Sequence, residues 1–186
     1  MNNKFISENV KTLIFALIIA IFIRSFFLQP FYIPSSSMEP NLLVGDRLFV
    51  TKYSYGYSKH SFPFSPNLFN GRILFSEPER GDVIVFKTPA DNRTDYIKRL
   101  IGLPGDEVQF NGGNLYINNK QIFNDIFSKD DFVYCGSQKL KVRKFKESIK
   151  SGKKYLVSYS KTNSFINSDK YIVPENHYFF LGDNRD

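Results

Sequence analysis

The pattern of apolar and polar residues begins with one long apolar run near the N-terminus. Eleven consecutive apolar residues extend from Leu13 to Ile23, after Lys4 and Lys11. As an α-helix, residues 13–28 span about 24 Å, somewhat less than a hydrocarbon core of roughly 30 Å. Arg24 interrupts the run near its end, where a long basic side chain can extend to the membrane–water interface. The run therefore predicts a membrane-spanning helix.

A cleaved secretory signal peptide and a buried core helix are the other interpretations of this run. A signal peptide also has a basic segment before an apolar one, but no small-x-small cleavage site follows here. We therefore expect an uncleaved signal anchor over residues 12–29. The two preceding lysines favour a cytoplasmic N-terminus, residues 1–11, with the rest of the chain on the outer side of the membrane.

Beyond the anchor, the pattern is typical of short strands. Three Gly-Asp pairs precede the β-patterned runs 47–50, 83–86 and 107–110, and the last run alternates polar and apolar residues. Asn118-Asn119 separates two short apolar runs, and asparagine tolerates the positive φ of a tight hairpin. One helical turn is expected within residues 144–153. The body of the chain is therefore predicted to be mainly β.

The aromatic stretch Ser61–Phe69 stands apart from these strands. Its two prolines argue against a central strand. Either it is a loop whose phenylalanines pack on the core, or it is a rim that dips into the bilayer beside the anchor.

Composition narrows the possible function. The 20 Phe and 11 Tyr favour strands over a helical bundle. A single cysteine, Cys135, excludes an internal disulfide framework and a multi-cysteine zinc site.

The net charge of the chain is +7, and residues 139–154 alone contain eight Lys and Arg residues against one Glu. Because the basic excess is local, the sequence predicts no nucleic-acid partner, and the basic stretch is interpreted as a solvated hairpin or loop.

Three serines directly after the anchor are candidate nucleophiles, within segment 34–40. A serine attacks a carbonyl only when a positioned base removes its proton. His60 and His177 lie in no recognisable triad context, and the chain has no Gly-x-Ser-x-Gly elbow. Lysine remains as a candidate base, since an amine that loses hydration on burial has a lowered pKa and can accept a proton near neutral pH. Lys98, whose neighbours are largely apolar, fits this description.

Four motifs, in this order along the chain, resemble those of bacterial type I signal peptidase, the membrane-bound leader peptidase. They are Pro34–Pro40 (the serine segment), Arg80–Phe86, Asp95–Arg99 with Gly102–Asp106, and Gly182–Asp186. The four motifs follow the predicted membrane anchor, and the resemblance extends over nearly the whole chain. The resemblance implies a mainly antiparallel β fold with a smaller inserted β lobe.

The resemblance also implies roles for individual residues. Ser37 is the implied nucleophile and Lys98 the implied general base, and the Ser35 hydroxyl joins the Ser37 backbone N–H in an oxyanion hole. Asp183 and Arg185 are implied to support the site through an ion pair. The implied substrate adds as an extended strand, with small residues at the first and third positions before the cut. The residues aligned with the two shallow pockets for those positions are Phe31, Ile33, Pro34, Met38, Leu42, Tyr96 and Ile97.

The expected organisation after the anchor is a catalytic core over residues 30–110, an inserted variable lobe over 111–172, and a return strand with the last motif over 173–186. In the family, the pattern continues past this motif with a serine that hydrogen-bonds the catalytic lysine. We therefore expect the last motif to be truncated at Asp186.

The implied function is that of a single-pass serine endopeptidase of the bacterial cytoplasmic membrane. It removes N-terminal signal peptides from exported preproteins after small-x-small sites, and no metal or organic cofactor is implied. Its implied partners are the signal peptides of secretory preproteins and the lipid bilayer, near the secretion translocon. Two alternatives stay open: a Ser/Lys peptidase of the conjugative-pilus type, and a non-catalytic membrane-anchored β-domain that binds exported proteins. A self-cleaving repressor needs a DNA-binding helix pair where this chain has its anchor.

Overall fold

A computed structural model describes residues 3–67, 69–135, 138–149, 152–160 and 167–185. The chain divides into two compact units, residues 1–32 with 47–77 and residues 33–46 with 78–186. Residues 47–77 thus group with the N-terminal helix, and residues 33–46 group with the C-terminal part of the chain.

The first unit is built on the helix α1 (Asn3–Phe26). Residues 7–26 are long and apolar enough to cross a membrane, and the side chains of residues 7–24 are exposed. The helix ends before the expected boundary at residue 29, because Pro30 disfavours helical backbone in the residue before it and cannot donate a helical hydrogen bond. Instead, β1 (Leu28–Tyr32) begins there.

An antiparallel ribbon and an aromatic cluster complete this unit. The strand β2 (Arg47–Thr51) pairs with β1 so that its last residue lies opposite Leu28, and the chain returns to the end of α1. There the Phe26 ring packs against Tyr57 and Phe62, at centroid distances of 5.7 and 5.5 Å. Tyr57 also donates its hydroxyl to the Phe26 carbonyl at 2.9 Å. The loop after β2 is thus attached to the C-terminal end of the helix.

Within the aromatic stretch, the phenylalanines differ in their packing. Phe62 packs edge-on against Phe69, as a packed loop requires. Phe64 is fully exposed, on backbone with a φ of +61°. Positive φ is rare for a bulky residue, so this turn holds Phe64 outward at a conformational cost.

The second unit consists of three antiparallel sheets, which confirms the prediction of a mainly β fold. In spatial order, the first sheet is β12 (Phe179–Leu181), β4 (Asp95–Gly102) and β3 (Val83–Lys87). The second is β11 (Tyr171–Ile172), β5 (Glu107–Asn111), β6 (Asn114–Ile117) and β7 (Lys120–Gln121). The third is β10 (Lys154–Ser160), β9 (Gln138–Ser148) and β8 (Phe123–Cys135).

One hydrophobic core joins these sheets. Ile101 from β4, Val108 from β5 and Val157 from β10 are among its buried members. The expected lobe of residues 111–172 therefore packs on the same core as the strands on either side of it in sequence. This arrangement brings side chains of β9 and β10 close to the last motif.

The structure bears on two local predictions, the hairpin at residues 118–119 and the helical turn within residues 144–153. Asn118 and Asn119 have φ of +53° and +59° and turn β6 into β7, so the predicted hairpin is confirmed. The helical turn expected within 144–153 does not form in residues 144–148, because β9 continues to Ser148 and pairs with strands on both of its edges. Residues 150 and 151 of that range lie outside the described residues. The basic stretch thus lies mainly in a strand pair, and Lys144 forms an ion pair with Asp131 across it.

Candidate active site

The serine segment forms one turn of 3₁₀ helix, Ser36–Met38, within the second unit. Met38 and Ser36 are buried and anchor the turn, whereas Ser37 between them stays partly exposed. Ser35 lies directly before the turn in extended conformation, and its Oγ lies 3.4 Å from the Ser37 Oγ. Two hydroxyl groups therefore face each other at the exposed side of the turn.

The last motif holds the backbone of Ser37. Asn184 donates its backbone N–H to the Ser37 carbonyl at 3.2 Å. A Cβ atom added to Gly182 would lie well within 3.0 Å of the same carbonyl oxygen. Only glycine fits at this position, and its absent side chain lets the two backbone segments approach closely.

Lys98 lies on β4, opposite Ile84 of β3, and the 3₁₀ helix contacts this strand. The side chain is half-buried, and burial lowers the pKa of Lys98, while the nearby Asp183 carboxylate opposes the shift. In the part of the chain that the structure describes, the Lys98 amine makes neither a hydrogen bond nor an ion pair, so it is not bonded to the Ser37 hydroxyl here. Such hydrogen bonds are often longer without a substrate.

Next to Lys98, Arg99 forms a buried ion pair with Asp183. Arg99 Nε and Nη2 donate to the two Asp183 carboxylate oxygens at 2.7 and 2.6 Å. Asn41, three residues after the 3₁₀ helix, donates its amide to Asp183 Oδ2 at 2.7 Å. Asp183 therefore connects the strand of Lys98 to the segment that follows Ser37.

Arg185 forms a second buried pair, with Glu147 of β9. Its Nη1 and Nη2 donate to the two Glu147 carboxylate oxygens at 3.0 and 2.6 Å. The expected single ion pair of Asp183 and Arg185 is thus two pairs, because each side chain has a buried partner of opposite charge on another strand. Asp186, the last residue of the motif, lies outside the described residues.

Known proteins resemble this chain over nearly its whole length. The family model for signal peptidase, peptidase S26, matches residues 6–186. This chain belongs to the signal peptidase family. It is 42% identical to signal peptidase I of Rickettsia bellii (strain OSU 85-389) over 194 residues, which cover 100% of this chain and 66% of the relative.

Other rickettsial relatives give similar values. Signal peptidase I of Rickettsia prowazekii (strain Madrid E) is 42% identical over 195 residues, 100% of this chain and 72% of the relative. That of Rickettsia typhi (strain ATCC VR-144 / Wilmington) is 44% identical over 195 residues, 99% of this chain and 72% of the relative. The chain thus spans about two thirds of the length of the curated relatives that it matches.

The residues that the signal peptidase resemblance assigned to the substrate pockets differ in exposure. Ile33 and Met38 are buried, Leu42 and Ile97 are partly buried, and Pro34 and Tyr96 are exposed. Phe31 lies on β1 in the other unit, partly buried. Neither histidine is near the serine segment in sequence. In the structure, His60 Nδ1 lies 3.1 Å from the Ser65 hydroxyl, and His177 is exposed.

Three residues of the site were not predicted from the sequence. Glu147 and Ser158 come from the expected variable lobe, and Asn41 follows the serine motif. Ser158 is fully buried and donates its hydroxyl to the Glu39 carbonyl at 3.2 Å. A signal for Glu147 was present, since it is the only acidic residue in the basic stretch 139–154. Among the described residues, no group of His, Cys, Asp and Glu side chains is arranged to hold a metal ion.

Proposed function

We propose that this chain is a membrane-bound serine endopeptidase that removes N-terminal signal peptides from exported preproteins after small-x-small sites. The observation that carries the proposal is the arrangement of Ser37 and Lys98. The serine lies on a turn whose backbone is held by Asn184, and the lysine lies on the strand that this turn contacts. Burial lowers the pKa of Lys98, as a lysine base requires.

In the proposed reaction, the neutral Lys98 amine accepts the proton of Ser37 as the Ser37 Oγ attacks the scissile carbonyl. The tetrahedral intermediate then collapses, and protonated Lys98 gives the proton to the leaving amine of the mature protein. The Ser35 hydroxyl and the Ser37 backbone N–H stabilise the oxyanion, and the 3.4 Å between the two hydroxyl oxygens supports this role for Ser35. Water then hydrolyses the acyl-enzyme, with Lys98 again acting as base.

Specificity is proposed to come from two shallow pockets for the first and third residues before the cut. Met38 is buried within the serine segment, and Ile33 is buried directly before it. Alanine fits such pockets, and leucine is excluded by steric clash. Backbone hydrogen bonds to an extended substrate provide affinity that does not depend on sequence.

We propose that α1 anchors the enzyme in the bacterial cytoplasmic membrane with its N-terminus in the cytoplasm. The loop after β2 supports contact with the outer lipid surface. Residues 52–76 of this loop contain three Lys and Arg residues and no Asp or Glu, and Phe64 and Leu74 are strongly exposed. Basic and aromatic residues together are typical of segments at an anionic membrane interface. The bilayer, the signal peptides and the neighbouring translocon are the proposed partners.

The experiment that tests this function is cleavage of a preprotein with an Ala-x-Ala site by the 186-residue chain in detergent. We expect a cut after the second alanine, no cut by Ser37→Ala, and no cut when that alanine is replaced by leucine. Binding of the preprotein without cleavage would favour the non-catalytic β-domain. Cleavage of pilin precursors but not of secretory preproteins would favour the pilus-type peptidase.

A further inference from the structure

Among the described ion pairs of the second unit, that of Glu147 and Arg185 is the most deeply buried. Glu147 is fully buried and Arg185 is 5% exposed, and two hydrogen bonds join their charged groups. The Tyr159 hydroxyl accepts a further hydrogen bond from Arg185 Nη1 at 3.2 Å. Removing two charges from water is costly unless their geometry is good and their other hydrogen-bonding groups are satisfied. Glu147 is thus the counter-charge that allows Arg185 to lie inside the protein.

Arg185 in turn holds the turn that contains the last motif. Its Nε donates to the Gly182 carbonyl at 2.9 Å, and its backbone N–H donates to the Ser158 carbonyl at 2.9 Å. The Ser158 backbone N–H donates to the Asp183 carbonyl at 2.9 Å. The guanidinium therefore connects the beginning of the turn, at Gly182, to the buried carboxylate of β9.

The same turn contacts Ser37 and Arg99, the residue that follows Lys98. Asn184 donates its N–H to the Ser37 carbonyl, and Gly182 lies against the same carbonyl. Asp183 pairs with Arg99, the residue after Lys98. A displacement of the turn would thus move the backbone of the nucleophile, although Glu147 contacts neither Ser37 nor Lys98.

We propose that Glu147 is a positioning residue of the signal peptidase site. Through Arg185 it fixes the turn 182–185, and through this turn it fixes the Ser37 backbone. The inference rests on the proposed function. It gives a role in the reaction to β9, a strand that none of the four family motifs includes. A positioning residue of this kind affects the rate of attack on the substrate and leaves substrate binding nearly unchanged.

The test compares Glu147→Gln with Val142→Ala in the full chain. Both residues are fully buried on β9, but Val142 has no contact with the turn among the described hydrogen bonds. For Glu147→Gln we expect kcat on the Ala-x-Ala preprotein to fall about 100-fold, with KM changed less than about threefold. For Val142→Ala we expect a lower melting temperature and an unchanged kcat per folded molecule. Equal kcat values for the two variants would overturn the inference.

Amide hydrogen exchange at Asn184 provides a second measurement that needs no activity. The Asn184 N–H that bonds to Ser37 should exchange at least tenfold faster in Glu147→Gln than in the wild type, with β5 and β6 amides unchanged. If Glu147→Gln does not fold, Tyr159→Phe replaces it, since this variant removes one hydrogen bond of Arg185 without leaving a charge unpaired. For Tyr159→Phe we expect about threefold faster exchange and a matching fall in kcat.

These measurements separate failure of the inference from failure of the proposed function. If the wild type does not cleave but Asn184 exchanges faster in the variant, the proposed function fails and the link from Glu147 to Ser37 stands. If the wild type cleaves and the variant has wild-type kcat, with either fast or slow exchange, Glu147 is only a structural residue.

Discussion

Replacing Gly182 by alanine is the sharpest perturbation that the structure offers. The added methyl group would approach the Ser37 carbonyl oxygen well within 3.0 Å, and the Asn184 carbonyl oxygen to 3.0 Å. Both neighbours are backbone atoms, so no side chain can rotate away to make space. Either the turn or the Ser37 backbone must move.

The size of this movement gives the expected effect. The methyl carbon and the Ser37 carbonyl oxygen must separate by roughly 1 Å to reach ordinary van der Waals contact, and a misplacement of about 1 Å at a catalytic group can cost about 100-fold in rate. We therefore expect kcat of Gly182→Ala on an Ala-x-Ala preprotein to fall about 100-fold, with little change in KM.

Gly102→Ala is the matched control, since its added Cβ would also be crowded. There the neighbours are core side-chain atoms of Val173, Phe179 and Val108, at 2.8–3.0 Å. Overpacking of a core costs about 1–3 kcal/mol. We expect a lower melting temperature and an unchanged kcat per folded molecule, measured by circular dichroism and single-turnover cleavage. If Gly182→Ala keeps more than a third of the wild-type kcat, the reasoning that the turn positions Ser37 is refuted.

The remaining predictions concern the oxyanion hole, the buried ion pair and the membrane contact. Ser35→Ala should lower kcat by about 10²–10³-fold in the same cleavage assay, and an unchanged kcat would remove Ser35 from the oxyanion hole. Asp183→Asn leaves the buried Arg99 without its counter-charge and should cost about 3–5 kcal/mol, whereas Glu107→Gln breaks the exposed pair with Lys170 and should cost less than about 1 kcal/mol. Thermal unfolding compares the two, and equal losses would contradict the argument from burial. Because the chain has no Trp, Phe64→Trp introduces a single tryptophan, whose emission can be excited apart from that of the tyrosines. Brominated anionic vesicles should quench this tryptophan more strongly than the one in Tyr32→Trp, and equal quenching would argue against lipid contact by the loop.

The elements that short sequence patterns specify were predicted correctly. Eleven apolar residues in a row indicate the helix, and Asn118-Asn119 indicates a hairpin because both residues accept positive φ. The serine motif and the lysine motif are each continuous in sequence. Their residues could therefore be named before the structure showed the turn and the strand that carry them.

The side-chain contacts that depend on strand register between residues far apart in sequence were not predicted. Glu147 and Arg185 are 38 residues apart, and their contact depends on the packing of β9 beside the last motif. The register between β9 and β10 places Tyr155 opposite Glu147, and no local pattern encodes that pairing. Residues 144–148, within the range 144–153 where a helical turn was expected, are in β9 for the same reason, since pairing on both edges of this strand outweighed the local sequence.

The role of Lys98 as the base can be measured by the pH dependence of kcat/KM together with an NMR titration of the Lys98 amine. Burial lowers the pKa of Lys98, and the base must be neutral to accept the Ser37 proton. Activity should therefore be lost as the pH falls through the lowered pKa and should rise to a plateau above it, and the amine should titrate at the same pH as the rate. A rate that follows the ordinary lysine pKa of about 10.4, or that does not follow the Lys98 titration, would contradict the account.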